Sequence, residues 1–336
     1  MHRQQRRLFW LFLVPGLTYL VGVRVAPALF TLTLSLTDWK LIRGAAPRFV
    51  GLANYVRLAH DGPFIEAVGR TLLFAVSATG LELLLGLAIA LFVNRELRGR
   101  TALRAILLTP MVITPAVVGL IWYILYHKSI GPLNYFLSLL DLPSVGWLTS
   151  PHVALASLIL TDLWHWTPFI FLLALSALQV VPTELYEAAD VDGATRLQAF
   201  RSVTLPLIWD TLMVGCILRS MDAFEIFAEP FVMTGGGPGR ATETVSLFIY
   251  KSAFTFFDMG YAGAMIAVSI LLIASVYSIY LRHVRFDIFR SVDDSADTSS
   301  YGGVDAQFVM DDRGELNELL LKLEPAAPPL VFQRVQ

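Results

Sequence analysis

Six long runs of apolar residues alternate with shorter polar segments along the chain: Leu8 to Leu36, Leu72 to Val93, Ala105 to Tyr126, Val153 to Val181, Leu205 to about Ala228, and Ala262 to Leu281. Each is close to or longer than the roughly 20 residues a helix needs to cross the hydrocarbon core of a bilayer. The pattern predicts an all-α integral membrane protein with six transmembrane helices. The first run contains Pro15, Arg24 and Pro27, which predicts a tilted or broken span. A basic start, an apolar stretch and small residues at Ala26 and Ala28 also fit a cleaved signal peptide, the alternative for this segment. Beyond the last run the pattern changes. Residues 288–336 are polar, with Asp, Ser and Gly early and Pro near the end, and read as a mostly disordered tail. Within it Leu316, Leu319, Leu320 and Leu323 recur at helical spacing, predicting a short amphipathic helix over Glu315 to Leu323.

The basic residues set the orientation. Arg3, Arg6 and Arg7 precede the first run; Arg95, Arg98, Arg100 and Arg104 crowd the second connection; Arg196 and Arg201 lie in the fourth; Arg282, Arg285 and Arg290 follow the sixth run. The third connection holds only Lys128. Cytoplasmic loops carry the excess of Lys and Arg, so both termini, including residues 1–7, are predicted to be cytoplasmic in a multi-pass protein of a bacterial or archaeal cell (inner) membrane. The first connection runs against the rule with Lys40, Arg43, Arg48 and Arg57, diluted by Asp38, Asp61 and Glu66.

Composition agrees with lipid as the solvent. Of 336 residues 56% are hydrophobic and only 15% charged, against about 25% charged in soluble domains. The basic residues sit between apolar runs and form no stripe, which argues against nucleic acid as a partner. A single cysteine, Cys216 within an apolar run, permits neither a disulfide framework nor a thiolate metal site inside the chain. His2, His60, His127, His152 and His283 show no metal-ligand spacing, and no nucleophile stands with a base and an orienting acid. The chain is therefore not expected to be an enzyme by itself.

The fourth connection is too long and too patterned to be a simple turn. From Glu184 to Pro206 it offers one short helix with Thr183 as N-cap and Glu184 and Glu187 in its first turn, where carboxylates suit the helix dipole. A bend follows at Gly193, then a second short helix from Ala194 to Val203, and Leu205-Pro206 leads into the next span. Small residues Ala188, Ala189, Gly193 and Ala194 allow a partner's backbone to come close, and Tyr186, Leu197 and Phe200 supply apolar anchors.

Glu187-Ala188-Ala189, with Asp190 next, Gly193 beyond it and Leu205-Pro206 at the far end, resembles the EAA loop of the permease subunits of binding-protein-dependent ABC importers. The stretch from Val232 through Gly235-Gly236-Gly237-Pro238-Gly239 to Thr244, then Tyr250, Ala253-Phe254 and Asp258-Met259-Gly260-Tyr261, is similar to the sugar-importing branch of the maltose and glycerol-phosphate type, as is Leu52-Ala-Asn-Tyr55. The likeness covers residues 8–287. It implies a type I ABC importer permease-like bundle whose cytoplasmic helix-turn-helix coupling loop, residues 184–206, fits a cleft on an ATPase subunit. It further implies a second permease subunit in a heterodimer, two ATPase subunits that bind ATP and Mg in this chain's stead, an extracytoplasmic solute-binding protein, and a sugar or sugar-like solute as cargo. No Lys followed by Ser or Thr stands at P-loop spacing after the glycine run, which reads instead as a tight outward-facing turn.

Charged groups inside the spans are where solute would be handled, because an ionisable group in lipid costs about 2.5–3.5 kcal/mol or more unless it faces protein or water. Asp162, His165, Trp166 and Phe169 share one side of the fourth span, and Arg219, Asp222, Glu225 and Glu229 one side of the fifth. Acids and rings suit a sugar's hydroxyls and C–H faces, and in the resembling family these two helices build the midplane pocket. The competing reading is ion pairing within the membrane or contact with the sister subunit, above all for Arg219 with Asp222. Glu82 in the second span has no partner evident in sequence. Two other functions use the same residues: an ion-coupled secondary transporter with Asp162, His165, Asp222 and Glu225 as its relay, and a membrane enzyme with Asp162 and His165 as acid and base.

Overall fold

The computed structural model describes residues 3–43, 46–95 and 99–283, and in the tail 300–301, 304–310, 316–322 and 330–333. Helices α1 (Arg3–Leu20) and α2 (Ala26–Ser35) run into one another through a π-helical turn at Val21–Val25. Neither Pro15 nor Pro27 breaks the rod, and the π-helical turn lies just ahead of Pro27, where the helix loses one N–H. Trp10–Ser35 is long and apolar enough to span, and apart from its last residues, where Ser35 is buried, it packs against little of the chain. At its end Asn54, on α3 (Ala53–Ala59), donates to the carbonyls of Ser35 and Thr37 at 2.8 Å each, and the Tyr55 hydroxyl meets Ser35 Oγ at 2.6 Å.

Helix α4 (Gly62–Val93) starts earlier than the apolar run beginning at Leu72, because its first turns are amphipathic: Arg70 pairs with Glu66 at 3.3 Å and reaches the Glu243 carbonyl at 3.2 Å. The third apolar run is not one straight span. Helices α5 (Arg100–Val112) and α6 (Pro115–Leu125) meet at 99°. Pro115 has no N–H to give and holds Thr114 out of the helical region, at φ −66° and ψ 142°. After α7 (Pro132–Leu139) comes α8 (Pro151–Val180). Then follow α9 (Thr183–Val191), α10 (Arg196–Ala199), α11 (Leu205–Phe224), α12 (Ala228–Met233), α13 (Val245–Tyr250) and α14 (Met259–His283). Among the described residues five helices are long and apolar enough to span, or six if the bent α5–α6 pair counts as one.

The core is built where α4 and α8 pack along their length, with α11 against both. Lipid gives no hydrophobic push between helices, so close packing of small side chains must hold them. On α4 the buried positions Ala67, Thr71, Ala75, Ala78, Glu82, Gly86, Ala90 and Val93 recur every three or four residues as one stripe; α8 answers with Ala154, Leu158, Thr161, His165, Pro168, Phe171, Ala174 and Leu178. The approach is closest at Gly86, where a Cβ would lie 2.8 Å from Ile170 Cβ and 2.9 Å from the Phe171 backbone nitrogen. Gly86→Ala is expected to destabilise the bundle by about 1–3 kcal/mol through overpacking, read as a lower melting temperature in detergent; an unchanged melting temperature would mean that α4 and α8 separate freely.

The tail forms a unit of its own. Its described residues make an antiparallel sheet in the order β1 (Ser300–Tyr301), β2 (Val304–Met310), β3 (Leu316–Lys322) and β4 (Leu330–Gln333). The helix predicted around Leu316, Leu319 and Leu320 is therefore a strand: Leu319 to Leu321 pair on both sides, with Phe308 to Ala306 and with Phe332 to Leu330. Three consecutive leucines satisfy either period, and cross-strand pairing decides between them. Glu315 and Leu323, the ends of that predicted helix, lie outside the described residues.

Candidate functional site

Arg219 on α11 is the hub. Its side chain is buried to 2% exposure and meets three carboxylates from three helices. Nε lies 2.8 Å from Glu82 Oε2 of α4, Nη1 donates to Asp222 Oδ2 at 3.0 Å, and Nη2 donates to Glu82 Oε1 at 3.2 Å and to Asp162 of α8. The guanidinium also sits over the Trp166 ring, 5.2 Å from its centroid. Glu82, without a partner in the linear sequence, thus stands 137 positions from one it touches.

Beside this hub opens a cavity of about 220 Å³ lined by Pro115, Asp162, Trp166, Arg219, Asp222, Glu225, Ile226, Phe227, Ala228 and Glu229. Five of the seven predicted pocket residues line it: Asp162, Trp166, Arg219, Asp222 and Glu225. His165 and Phe169 do not. Phe169 meets the edge of the Trp166 ring, with centroids 6.5 Å apart. His165 is fully buried and turned to the break in the bent span, where Nε2–H donates to the Ile113 carbonyl at 3.0 Å; Nδ1 lies 3.5 Å from Glu229 Oε1. Backbone groups freed by a broken helix need partners at membrane depth, and His165 supplies one. A break at Pro115 is the only sequence signal for that role.

The segment after α8 projects as two short arms. Pro182, not Thr183, is the N-cap of α9, so no side chain caps that end, and Thr183 is its first helical residue. Gly193 takes φ +73°, which closes the helix end with its N–H on the Asp190 carbonyl at 3.1 Å and that of Ala194 on Ala189 at 2.9 Å. Thr195 and Gln198 then form a capping box that starts α10. The second arm does not end at Leu205-Pro206. Through a π-helical turn at Phe200–Thr204 it continues into α11, making one rod, Arg196–Phe224. Glu187, Ala188, Asp190, Gly193 and Pro206 are exposed, Ala189 and Leu205 half-buried. Tyr186 OH and Thr204 Oγ1 tie the arms at 3.0 Å.

At Asp258-Met259-Gly260-Tyr261 the motif is an architectural tie. Asp258 pairs with Lys40 at 3.3 Å and Arg57 at 3.1 Å and caps α14 through the Tyr261 N–H; the Tyr261 hydroxyl donates to Asp61. The glycine run is a tight turn, with Gly235, Gly236 and Gly239 at positive φ and the Thr242 hydroxyl donating to the Gly237 carbonyl at 2.7 Å. Among the described residues no group of three or more His, Cys, Asp or Glu could hold a metal ion.

A helical membrane protein with an ionised cavity walled by its fourth and fifth long helices, and a two-armed projection fused to one of them, has the build of a transporter's channel subunit. Residues 82–290 match the family model for the binding-protein-dependent transport system inner membrane component. The chain is 38% identical over 286 residues to the trehalose/maltose transport system permease protein MalF of Thermococcus litoralis, covering 84% of this chain and 95% of that one. It is 34% identical over 280 residues to the sulfoquinovosyl glycerol transport system permease protein SmoG of Agrobacterium fabrum, covering 83% and 91%. In fold it is similar to a chain of the bacterial ABC transporter involved in the import of the acidic polysaccharide alginate, with TM-score 0.69 and 24% identity over 84% of this chain and 98% of that one. The chain belongs to the family of inner membrane components of binding-protein-dependent transport systems. It is a multi-pass channel subunit of an ABC importer, not an enzyme, and ATP hydrolysis falls to a separate subunit. The matches give the ion-coupled reading no support.

Proposed function

We propose that this chain moves a sugar or sugar-like solute, a mono-, di- or oligosaccharide or polyol, from an extracytoplasmic solute-binding protein into the cytoplasm. It pairs with a second, unequal permease subunit and is driven by two ATPase subunits. Both termini are cytoplasmic, residues 8–287 form the permease domain with six spans, and residues 288–336 are a cytoplasmic tail. The observation that carries this reading is the helical continuity of Arg196–Phe224, from the coupling loop to the cavity. Its first turns carry the exposed loop and its far end carries Arg219, Asp222 and Glu225 of the cavity, about 35–45 Å away at 1.5 Å per helical residue. A push on Glu187, Ala188, Ala189, Asp190 and Gly193 by a closing ATPase pair moves that rod, and the cavity walls move with it. The maltose- and sulfoquinovosyl-glycerol-type relatives support a sugar as cargo, as does an indole ring beside hydrogen-bonding acids.

The test is uptake by proteoliposomes holding the complete importer, with the solute-binding protein outside and ATP inside. Uptake of a sugar is expected to require ATP and to survive ionophores that collapse proton and sodium gradients. Uptake that persists without the ATPase and follows a gradient would replace this reading with the ion-coupled one.

A further inference from the structure

The cavity's charge balance says which sugars it accepts. Among the described residues Arg219 is the only cation lining it, and each of its guanidinium nitrogens lies within ion-pair distance of Glu82, Asp162 or Asp222. The other charged lining groups are acids, Glu225 and Glu229. Glu229 is 3% exposed, no described residue donates a hydrogen bond to its carboxylate, and the nearest basic group among the described residues is the His165 imidazole, with Nδ1 at 3.5 Å. That nitrogen has no hydrogen-bond partner of its own. His165 is fully buried behind Glu229 and does not reach the cavity. Acceptors therefore face the solute with no free donor cation among the described residues. A carboxylate accepting from a sugar hydroxyl or an ammonium makes a strong, charge-assisted hydrogen bond. A second anion brought beside these acids is repelled.

We propose that this cavity selects its cargo by charge, taking an uncharged or cationic sugar and rejecting uronates, sulfonates and other anionic ones, with Glu225 and Glu229 as the specificity-determining residues. The inference rests on the sugar reading above and narrows it. Neither the fold likeness to a transporter of an acidic polysaccharide nor the likeness to a sulfoquinovosyl glycerol permease, whose cargo is a sulfonate, carries cargo charge across, because the side chains of the cavity set it.

The test is equilibrium binding of radiolabelled trisaccharides to the purified complex of both permeases and the ATPase, without the solute-binding protein, whose own selectivity is thereby removed. The probes are maltotriose, the glucosamine trimer and the galacturonate trimer. Maltotriose or the glucosamine trimer is expected to bind at least about tenfold more tightly than the galacturonate trimer, and the Glu225→Gln, Glu229→Gln double variant is expected to shrink that gap to threefold or less. Galacturonate binding as well as or better than the other two overturns the charge selection while the sugar reading stands. An undiminished gap in the double variant overturns the assignment to these residues. If no probe binds and none is taken up by the complete importer, the sugar reading falls and the charge selection with it.

Discussion

Replacing Arg219 with methionine is expected to remove most of the folded protein from the membrane. The side chain fills a fully buried position and is, among the described residues, the only cation in contact with Glu82, which is itself wholly buried, and with Asp162, which is 2% exposed. Breaking a buried ion pair by deleting one partner leaves uncompensated charge and costs about 3–5 kcal/mol, a large part of the total stability of an ordinary domain. The expected readout is a collapse of the monodisperse peak in size-exclusion chromatography of the solubilised protein, with no transport in what remains. Arg219→Lys is expected to be intermediate, since an ammonium is a point charge and cannot span three carboxylates as a planar fork does.

A second variant separates charge balance from function. Changing Arg219→Met together with Glu82→Met and Asp162→Leu replaces the three buried charges with apolar side chains of similar volume, a replacement that is often neutral or stabilising. The triple variant is expected to recover yield and melting temperature but not transport, because Asp162 and Arg219 line the cavity. Recovered transport would assign the cluster a purely structural part and move solute binding elsewhere.

The existence and type of the spanning helices were legible because a run of about 20 apolar residues has few other uses. The limits of that signal show where it failed. Glu66 and Arg70 hid the first turns of α4 from a hydropathy criterion, although the buried stripe of Ala67 and Thr71 already carries the helical period. Ala105 to Tyr126 read as one span because Pro115 counts as a single residue in an apolar window, whereas backbone sterics make it a 99° corner. Glu82 and Arg219 are each visible as costly intramembrane charges, but nothing local joins positions 137 apart. His165 fell on the expected helix face and still missed the cavity, because a face is wide enough to hold both a cavity wall and a packing contact. In the loop Gly193 was legible as the bend, while the fusion of its second arm with α11 was not, since Leu205-Pro206 looks like a boundary and is instead accommodated by the π-helical turn just before it.

Gly193 offers a prediction in which strain and docking can be told apart. Its φ of +73° is open to glycine, tolerable for asparagine and unfavourable by about 1–2 kcal/mol for other residues. Within this chain a Cβ there meets nothing within 4 Å. Gly193→Val is therefore expected to leave yield and melting temperature near those of the parent, because the loop is exposed, while displacing the short arms and weakening ATPase capture by about 5–30-fold for that strain. Gly193→Asn keeps the backbone and adds only bulk. If the loop seats in an ATPase cleft with its glycine against the partner, Gly193→Asn also loses the ATPase on co-purification, and Glu187→Lys does so by reversing a charge on the same exposed arm. If Gly193→Asn retains the ATPase and Gly193→Val does not, the glycine acts through loop shape alone and the contact lies on Glu187 and its neighbours. Parent-like co-purification and transport in all three variants would take this loop out of the coupling path, and the rod Arg196–Phe224 would need another source of motion.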